Sequence, residues 1–404
     1  MRPPRNALSS SGPNAPSTLD ASQPDRSGLR ALAPLLAAAG VTRIADVTGL
    51  DRVGLPVAAA YRPNARSAVV SYGAAAGLET AKLAAAMEAI ERFHAEQVML
   101  PSKLGSMLDL SATHRLAEIG APMSAADAAF DASQPYRWVE GIDLLQETKL
   151  WLPLDLVHLD RTIPSPASSS GLAAGFDAAG ARCHALCELV ERDAAANWFA
   201  RPPQAQAATR IDLQTIQPGS ENALLRQIAA AGLHIAVWDA TSDIGVAVLL
   251  CNLVESGAGP LPPAASAWGM ASHPDRNVAL VKCLEEALQA RLATIASVAD
   301  DIGPADLAPI DGGAVMDRIE AVRQGNGQRP FHAVPTRPVG GPAGEIAWLL
   351  DRFKAAGFQH VIAIDLTRPE FGVAVVRIVV PGIGDIAAPR GARVRYPGLP
   401  MARR

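Results

Sequence analysis

The stretch SSSGLAAGFDAAGARCHALCELVERDAAANWFA, residues 168–200, sets the strongest constraint on the fold. A glycine-punctuated loop runs into a helix that is rich in alanine yet carries Glu188, Glu191, Arg192 and Asp193 at its middle. An earlier stretch, SYGAAAGLETAKLAAAMEAIERF, repeats the arrangement. Ser71, Gly73, Gly77, Glu88, Glu91 and Arg92 are matched in order by Ser169, Gly171, Gly175, Glu188, Glu191 and Arg192. Two copies of a loop and a Glu-x-x-Glu-Arg helix make an internal repeat.

A second repeat lies further on. LLRQIAAAGLHIAVWDATSDIGVAVLLCNLV and LLDRFKAAGFQHVIAIDLTRPEFGVAVVRIVVPGI both read as helix, Gly stop, strand, Asp-x-Thr turn and strand, which fits an α/β layer. Between them, GMASHPDRNVALVKCLEEALQARLATIASVADD predicts one long helix carrying Glu285, Glu286, Gln289 and Arg291. GLRALAPLLAAAG predicts a helix stopped by Gly40, followed by two short strands. Further on, SATHRLAEIG reads as a helix, and YRWVEGIDLL and KLWLPLDLVHL as strands. The expected architecture is α+β, with duplicated α/β units whose mixed sheets are covered by helices.

On a helix, residues three apart share a face, so Glu88 with Glu91 and Glu188 with Glu191 form carboxylate pairs. Their neighbours are Ala, Leu, Val, Ile and Met, so the helices are apolar nearly all round and predict burial. Buried carboxylates cost several kcal/mol each unless compensated. A divalent cation compensates them, and carboxylates suit Mg²⁺, which keeps water and bridges phosphate oxygens. Arg92, Arg192 and Arg291 are candidate phosphate partners. A single Glu-x-x-Glu-Arg is ordinarily a solvated cluster or a structural ion pair. Neither loop fits the G-x-x-x-x-G-K-[ST] or G-x-G-x-x-G pattern. The duplicated register, joined by a third Glu-bearing helix, favours the cation site.

Composition narrows the classes. The 404 residues are 49% hydrophobic and 19% charged with net charge -4, which gives a globular chain without the basic field that holds nucleic acid. Charges, Gly or Pro interrupt each apolar run before a membrane-spanning length. Cys183, Cys187, Cys251 and Cys283 have no CxxC spacing and read as packed thiols, and a cytoplasmic location is expected. His94 and His184 read either as second-shell supports or as general bases. Asp239 and Asp365 read as turn-fixing residues.

GLAAGFDAAGARCHALCELVERDA, SYGAAAGLETAKLAAAMEAIERF, ALVKCLEEALQARL and IDLTRPEFGVAVVRIVVPGI together resemble the YcaO-domain family over roughly residues 45 to 385. The resemblance implies a YcaO-type fold with a central nucleotide cleft, in a domain over 27–390 between a disordered tail at 1–26 and a C-terminal tail at 391–404. It implies ATP and Mg²⁺, with Glu88, Glu91, Glu188, Glu191 and Glu286 as metal or phosphate ligands. Ser71, Arg92, Arg192, Gln289 and Arg291 would contact the nucleotide. The implied activity is phosphorylation of a peptide backbone amide oxygen, which a nucleophile then replaces. A neighbouring side chain gives an azoline, and sulfide gives a thioamide.

The chain departs from that pattern in three places. The first loop is GAAAG where many relatives have Gly-Lys-Gly, Ala84 stands where they have Ser, and the chain ends RYPGLPMARR without a Pro-x-Pro-x-Pro motif. The missing Pro-x-Pro-x-Pro motif favours the thioamide branch, similar to members that work with a TfuA-like sulfur-delivery partner, whereas GAAAG and Ala84 imply either a substitute cation such as Lys82 or weaker nucleotide binding. An azoline-forming cyclodehydratase and a non-catalytic scaffold are the alternatives. The expected partners are a peptide or protein substrate and that sulfur carrier, with no nucleic acid and no membrane; a homodimer is compatible.

Overall fold

The computed structural model describes residues 28–117, 131–160, 168–217, 219–255, 266–296, 313–337 and 340–385. The two predicted tails lie outside the described residues. Among those described, no helix is long and apolar enough to cross a membrane.

One unit of structure occurs three times. It begins with a helix, Leu29–Ala38, Ser220–Ala230 or Pro342–Ala355. Each is followed by a glycine at positive φ, Gly40, Gly232 or Gly357, where an L side chain would be strained. A strand then leads to an Asp-x-Thr turn. Asp46, Asp239 and Asp365 each accept the backbone N–H of the threonine two residues on, at 3.0, 3.0 and 2.9 Å. The hydroxyls of Thr48, Thr241 and Thr367 accept in turn from Val57, Val248 and Val375 on the returning strand, at 3.1, 3.3 and 3.1 Å. The expected turn-fixing role of Asp239 and Asp365 therefore holds, and Asp46 shares it.

Each returning strand pairs with a third strand that feeds a long helix. In the first unit Arg43–Asp46, Val57–Tyr61 and Val70–Ala74 form an antiparallel sheet, and Leu78–Glu96 follows. In the second, Leu233–Asp239, Val248–Glu255 and Ser266–Ser272 do the same before Arg276–Ala296. The third unit is split along the chain. Ile362–Asp365 and Ala374–Val379 pair with Leu172–Gly175, whose helix is Ala178–Phe199. Its sheet is widened to six strands by Ser102–Ser106, Pro135–Asp143 and Thr148–Pro153.

The units close on one another. The first long helix packs on strand Leu172–Gly175. Ala178–Phe199, the second in chain order, packs on strand Ser266–Ser272, and Arg276–Ala296, the third in chain order, on strand Val70–Ala74. Each helix thus covers its neighbour's sheet as well as its own. The buried apolar side chains fall into clusters at these seams, one joining the second long helix to Ala236, Val248 and Val376, another joining the third to Val237, Leu249 and Ala271.

Two sequence expectations are modified. The large sheets are antiparallel, and parallel pairing among the described residues is confined to Arg329–Pro330 with Ile211–Asp212 and a bridge between Leu116 and Trp151. Strands joined by tight turns can only return antiparallel. The helix expected over SATHRLAEIG does not form in the described part of that stretch. A short helix, Met107–Ser111, is capped by Ser106, and the backbone at 115–117 then pairs with Trp151. Tertiary pairing there overrides local propensity.

Close approach of strand to helix needs glycine. A Cβ at Gly269 would run into the Cys283 carbonyl oxygen and the Ala287 nitrogen, and Gly73 meets Ala81 and Ala85 in the same way. Gly269→Ala is therefore expected to cost about 3 kcal/mol or more in urea unfolding. Gly344→Ala, in a helix with open space around it, is expected to gain about 0.5–1 kcal/mol in the same assay.

Candidate nucleotide and metal site

Each long helix turns a glutamate back onto the strand that feeds it. Glu88 accepts the N–H of Tyr72 at 3.0 Å, Glu188 that of Gly171 at 3.1 Å and Glu286 that of Met270 at 2.8 Å. Glu91 reaches across a seam to the N–H of Ala174 at 3.1 Å. The backbone thus fixes four carboxylates before any ligand arrives. Arg92 donates to Glu88 at 2.7 and 2.9 Å, and Arg192 lies 3.5 Å from both Glu188 and Glu191. Arg192 also donates to the Met270 sulfur at 3.4 Å across the next seam.

The five predicted glutamates act on one another. Burial raises the pKa of Glu91 well above the carboxylate range, and Glu188 and Glu88 push it further. Burial raises that of Glu188, against the opposing charge of Arg192. Glu191 is raised well above its ordinary value by burial and then by Glu286. Glu286 is pushed up to about 7 by burial, with Glu188 and Glu88 adding to the effect and Arg192 opposing it. Carboxylates from all three long helices therefore share one electrostatic neighbourhood. The side chains of Glu188 and Glu191 keep 16% and 12% of their exposure, so the cluster is enclosed yet open to a ligand on one side.

Among the described residues no three His, Cys, Asp or Glu side chains are gathered tightly enough to make a ready-made metal cage. Mg²⁺ does not need one, because it binds through one or two carboxylates and completes its shell with water and phosphate oxygens. The donors here are all hard oxygens, and one oxygen of Glu91 and of Glu286 makes no hydrogen bond among the described residues. The donor set fits Mg²⁺. A cavity of about 190 Å³ lies elsewhere, between the six-stranded sheet and Arg182. It is smaller than small-molecule pockets generally are.

The remaining predicted contacts divide. Ser71 is buried in its strand. Gln289 lies three residues beyond Glu286 on the same helix, as Glu91 follows Glu88 and Glu191 follows Glu188. The third helix therefore carries the same register in a neutral form. Arg291 is a different case. It falls five residues after Glu286 where Arg92 and Arg192 fall four after theirs, which rotates it off that face. It is 3% exposed and donates to Asp51 at 3.1 and 3.3 Å and to Glu255 at 2.7 Å, clasping the first unit to the second. That placement sets it apart from Arg92 and Arg192, which lie beside the glutamates.

One buried residue went unremarked in the sequence. Arg377, 4% exposed, sits on the strand facing Leu172 and donates to the Leu156 carbonyl at 3.2 Å. Its Nε and Nη1 have no partner among the described residues. Burial lowers its pKa to about 10 against the opposing charges of Glu188, Asp385 and Glu91. The only sequence signal was a lone arginine inside an apolar strand. His94 is a core residue, its Nδ1 2.7 Å from the Ile90 carbonyl and its ring edge-on to Phe371. All four cysteines are free and buried.

Residues 72–384 match the family described as "YcaO cyclodehydratase", ATP- and Mg²⁺-binding, and the chain belongs to that family. It is 32% identical over 379 residues to an uncharacterised protein from the tfuA 3′ region of Rhizobium leguminosarum bv. trifolii, covering 87% of this chain and 86% of that one. It is 27% identical to an uncharacterised protein of Methanothermobacter thermautotrophicus, over 88% and 92% of the two chains. Among solved structures, the YcaO of Methanopyrus kandleri bound with AMPPCP and Mg²⁺ superposes with a TM-score of 0.67 at 20% identity, covering 91% of this chain and 92% of that one. A heterocyclase in complex with substrate and cofactor gives 0.70 at 21% identity, over 85% of this chain; this chain spans 50% of its length. The fold is the YcaO fold, and ATP and Mg²⁺ are its ligands, as expected.

Replacing Glu286 by Gln keeps an oxygen for the Met270 N–H and removes a charge. A carboxyl whose folded pKa is raised costs stability above that pKa and ceases to cost it as the pH falls. In metal-free protein, Glu286→Gln is expected to gain about 1–3 kcal/mol at pH 8, shrinking as the pH falls through about 7 and vanishing only below the ordinary carboxyl value of 4.5, in denaturant titrations. With Mg·ATP present the gain should fall, because the variant binds it less well.

Proposed function

We propose that this protein activates a peptide backbone amide by ATP-dependent phosphorylation of its oxygen, and that sulfide then replaces that oxygen to give a thioamide. One observation carries the reading: glutamates from three helices share one enclosed neighbourhood whose mutual repulsion calls for bound cations.

The chemistry explains the need. An amide oxygen is a poor leaving group. Once it carries the γ-phosphoryl group of ATP, the carbon accepts an electron pair from the nucleophile and the C–O bond breaks with phosphate departing. Mg²⁺ supplies charge neutralisation on the phosphates. The protein supplies orientation. Glu88, Glu91, Glu188 and Glu286 are anchored by backbone N–H groups on sheets, which holds their oxygens without side-chain entropy to lose on binding. Arg92 and Arg192 stay on the cluster as the fixed positive charges.

The thioamide product and a TfuA-like sulfur-delivery partner are supported by the Rhizobium relative, which is described by its place beside tfuA. A peptide substrate is supported by structural neighbours that include a microcin synthetase complex with pro-MccB17 bound. The GAAAG loop and Ala84 favour a second reading, a non-catalytic partner protein.

Purified protein, a TfuA-like partner, sulfide and candidate peptides should together release phosphate and yield a peptide in which sulfur has replaced oxygen, read by mass spectrometry. Glu191→Ala should lower turnover about a hundredfold or more. Loss of water from the peptide instead would assign the azoline reaction. Phosphate release at the level of Glu191→Ala with every peptide would leave the scaffold reading.

A further inference from the structure

The glutamate cluster explains how cations are held, but not what meets the outer oxygens of a triphosphate. Among the described residues the guanidiniums acting on its carboxylates are those of Arg92, Arg192 and Arg377, and Asp385 adds a further negative charge, so negative charge is in excess. A triphosphate entering that field needs positive charge on the side from which it comes. The loops GAAAG and GLAAG ahead of the first two Glu-bearing helices contain no Lys or Arg.

The threefold register shows where charge has been placed instead. Four residues before the first glutamate of each long helix, on the same face, the three units carry Ala84, His184 and Lys282. All three positions are exposed, on the N-terminal side of the carboxylates, toward the helix ends that favour anions. The second and third units meet here, since the second long helix packs on Ser266–Ser272 and Arg192 reaches Met270.

The surroundings of Lys282 are those of a waiting cation. It makes no ion pair within 4.0 Å among the described residues, whereas Lys82, two residues before Ala84, is held by Glu79 at 2.8 Å. Two histidines feel its charge. Desolvation, reinforced by Lys282, lowers the pKa of His184 to about 4. His273 opens the loop into the third long helix, and its pKa is also lowered by burial and by Lys282. Its Nδ1 accepts the N–H of Asp275 at 3.0 Å, which puts the ring proton on Nε2 as a donor. Of the acids, Glu285 feels the charge of Lys282, and Glu345 and Asp275 act on His273.

We infer that Lys282, flanked by His184 and His273 as neutral donors, forms the sector of the nucleotide site that binds the outer phosphates. It provides the positive charge that the two loops lack. The inference rests on the ATP-dependent reading above and adds the residues that select a triphosphate.

Calorimetry with Mg·ATP and with AMP, in the absence of peptide, tests it. Lys282→Ala is expected to weaken Mg·ATP about tenfold, the effect of losing one charge-assisted contact, while AMP binding changes little. Lys282→Arg should restore most of the affinity, and His184→Ala should lose about threefold. Lys282 is exposed, so the variant's melting temperature should match that of the parent protein. Unchanged Mg·ATP affinity in Lys282→Ala, or an equal loss for AMP, overturns the inference and leaves the ATP-dependent reading standing. A parent protein that binds no Mg·ATP overturns that reading first.

Discussion

Repulsion among carboxylates that cannot easily leave one another is the constraint on which this structure turns. Glu88, Glu188 and Glu286 are tied to the strands feeding their own helices, and Glu91 to a strand of the next unit. None can swing out to solvent without breaking a part-buried hydrogen bond from a backbone N–H. The chain therefore stores unfavourable electrostatic energy at its centre, which, on the function proposed above, a bound divalent cation would release. Stability given up in the free protein would then return as ligand affinity, a trade common at functional sites.

The threefold unit explains how such a cluster can be built at all. A single strand–helix pair presents one or two carboxylates on one face. Three such pairs, each helix lying on the neighbouring unit's strand, bring carboxylates from three directions to a common centre. The third unit is assembled from distant parts of the chain, with Leu172–Gly175 and its helix preceding the strands they join. Its sheet consequently forms only after most of the chain is available, which ties completion of the site to completion of the fold.

Much of this was legible in the sequence, for physical reasons that also mark where reading stopped. The Glu-x-x-Glu-Arg pairs stood out because burying like charges on an alanine-rich helix is costly and so rarely accidental. The helix–Gly–strand–Asp-x-Thr repeat was visible because an αL glycine and an Asx turn each demand particular residues. The third member of the strand–helix series was legible as a Glu-bearing helix but not as a copy of the same unit. Gln289 replaces the second glutamate and Ala290 the arginine, so the charge pattern that signals the unit is gone while its geometry remains. Arg291 looked like the missing arginine, but one residue of displacement is about 100° of helix rotation, enough to send it to Asp51 and Glu255. Arg377 and Lys282 gave no periodic signal, since their neighbours are set only by tertiary packing.

The neutral third helix bears on how the site discriminates its ligand. Two sectors, those of Glu88/Glu91/Arg92 and Glu188/Glu191/Arg192, carry paired acids and a guanidinium. The sector of Glu286 and Gln289 carries one acid, a neutral amide and, one turn earlier, Lys282. A threefold scaffold with equal sectors would attract cations equally around its centre. Loss of one carboxylate and gain of one ammonium on the third helix break that symmetry. The field then runs from an acidic side that favours metal ions to a less acidic side that tolerates phosphate. On the inference drawn above, a ligand that is itself polar in charge, a cation-bearing triphosphate, would be oriented by that gradient before it made any specific contact.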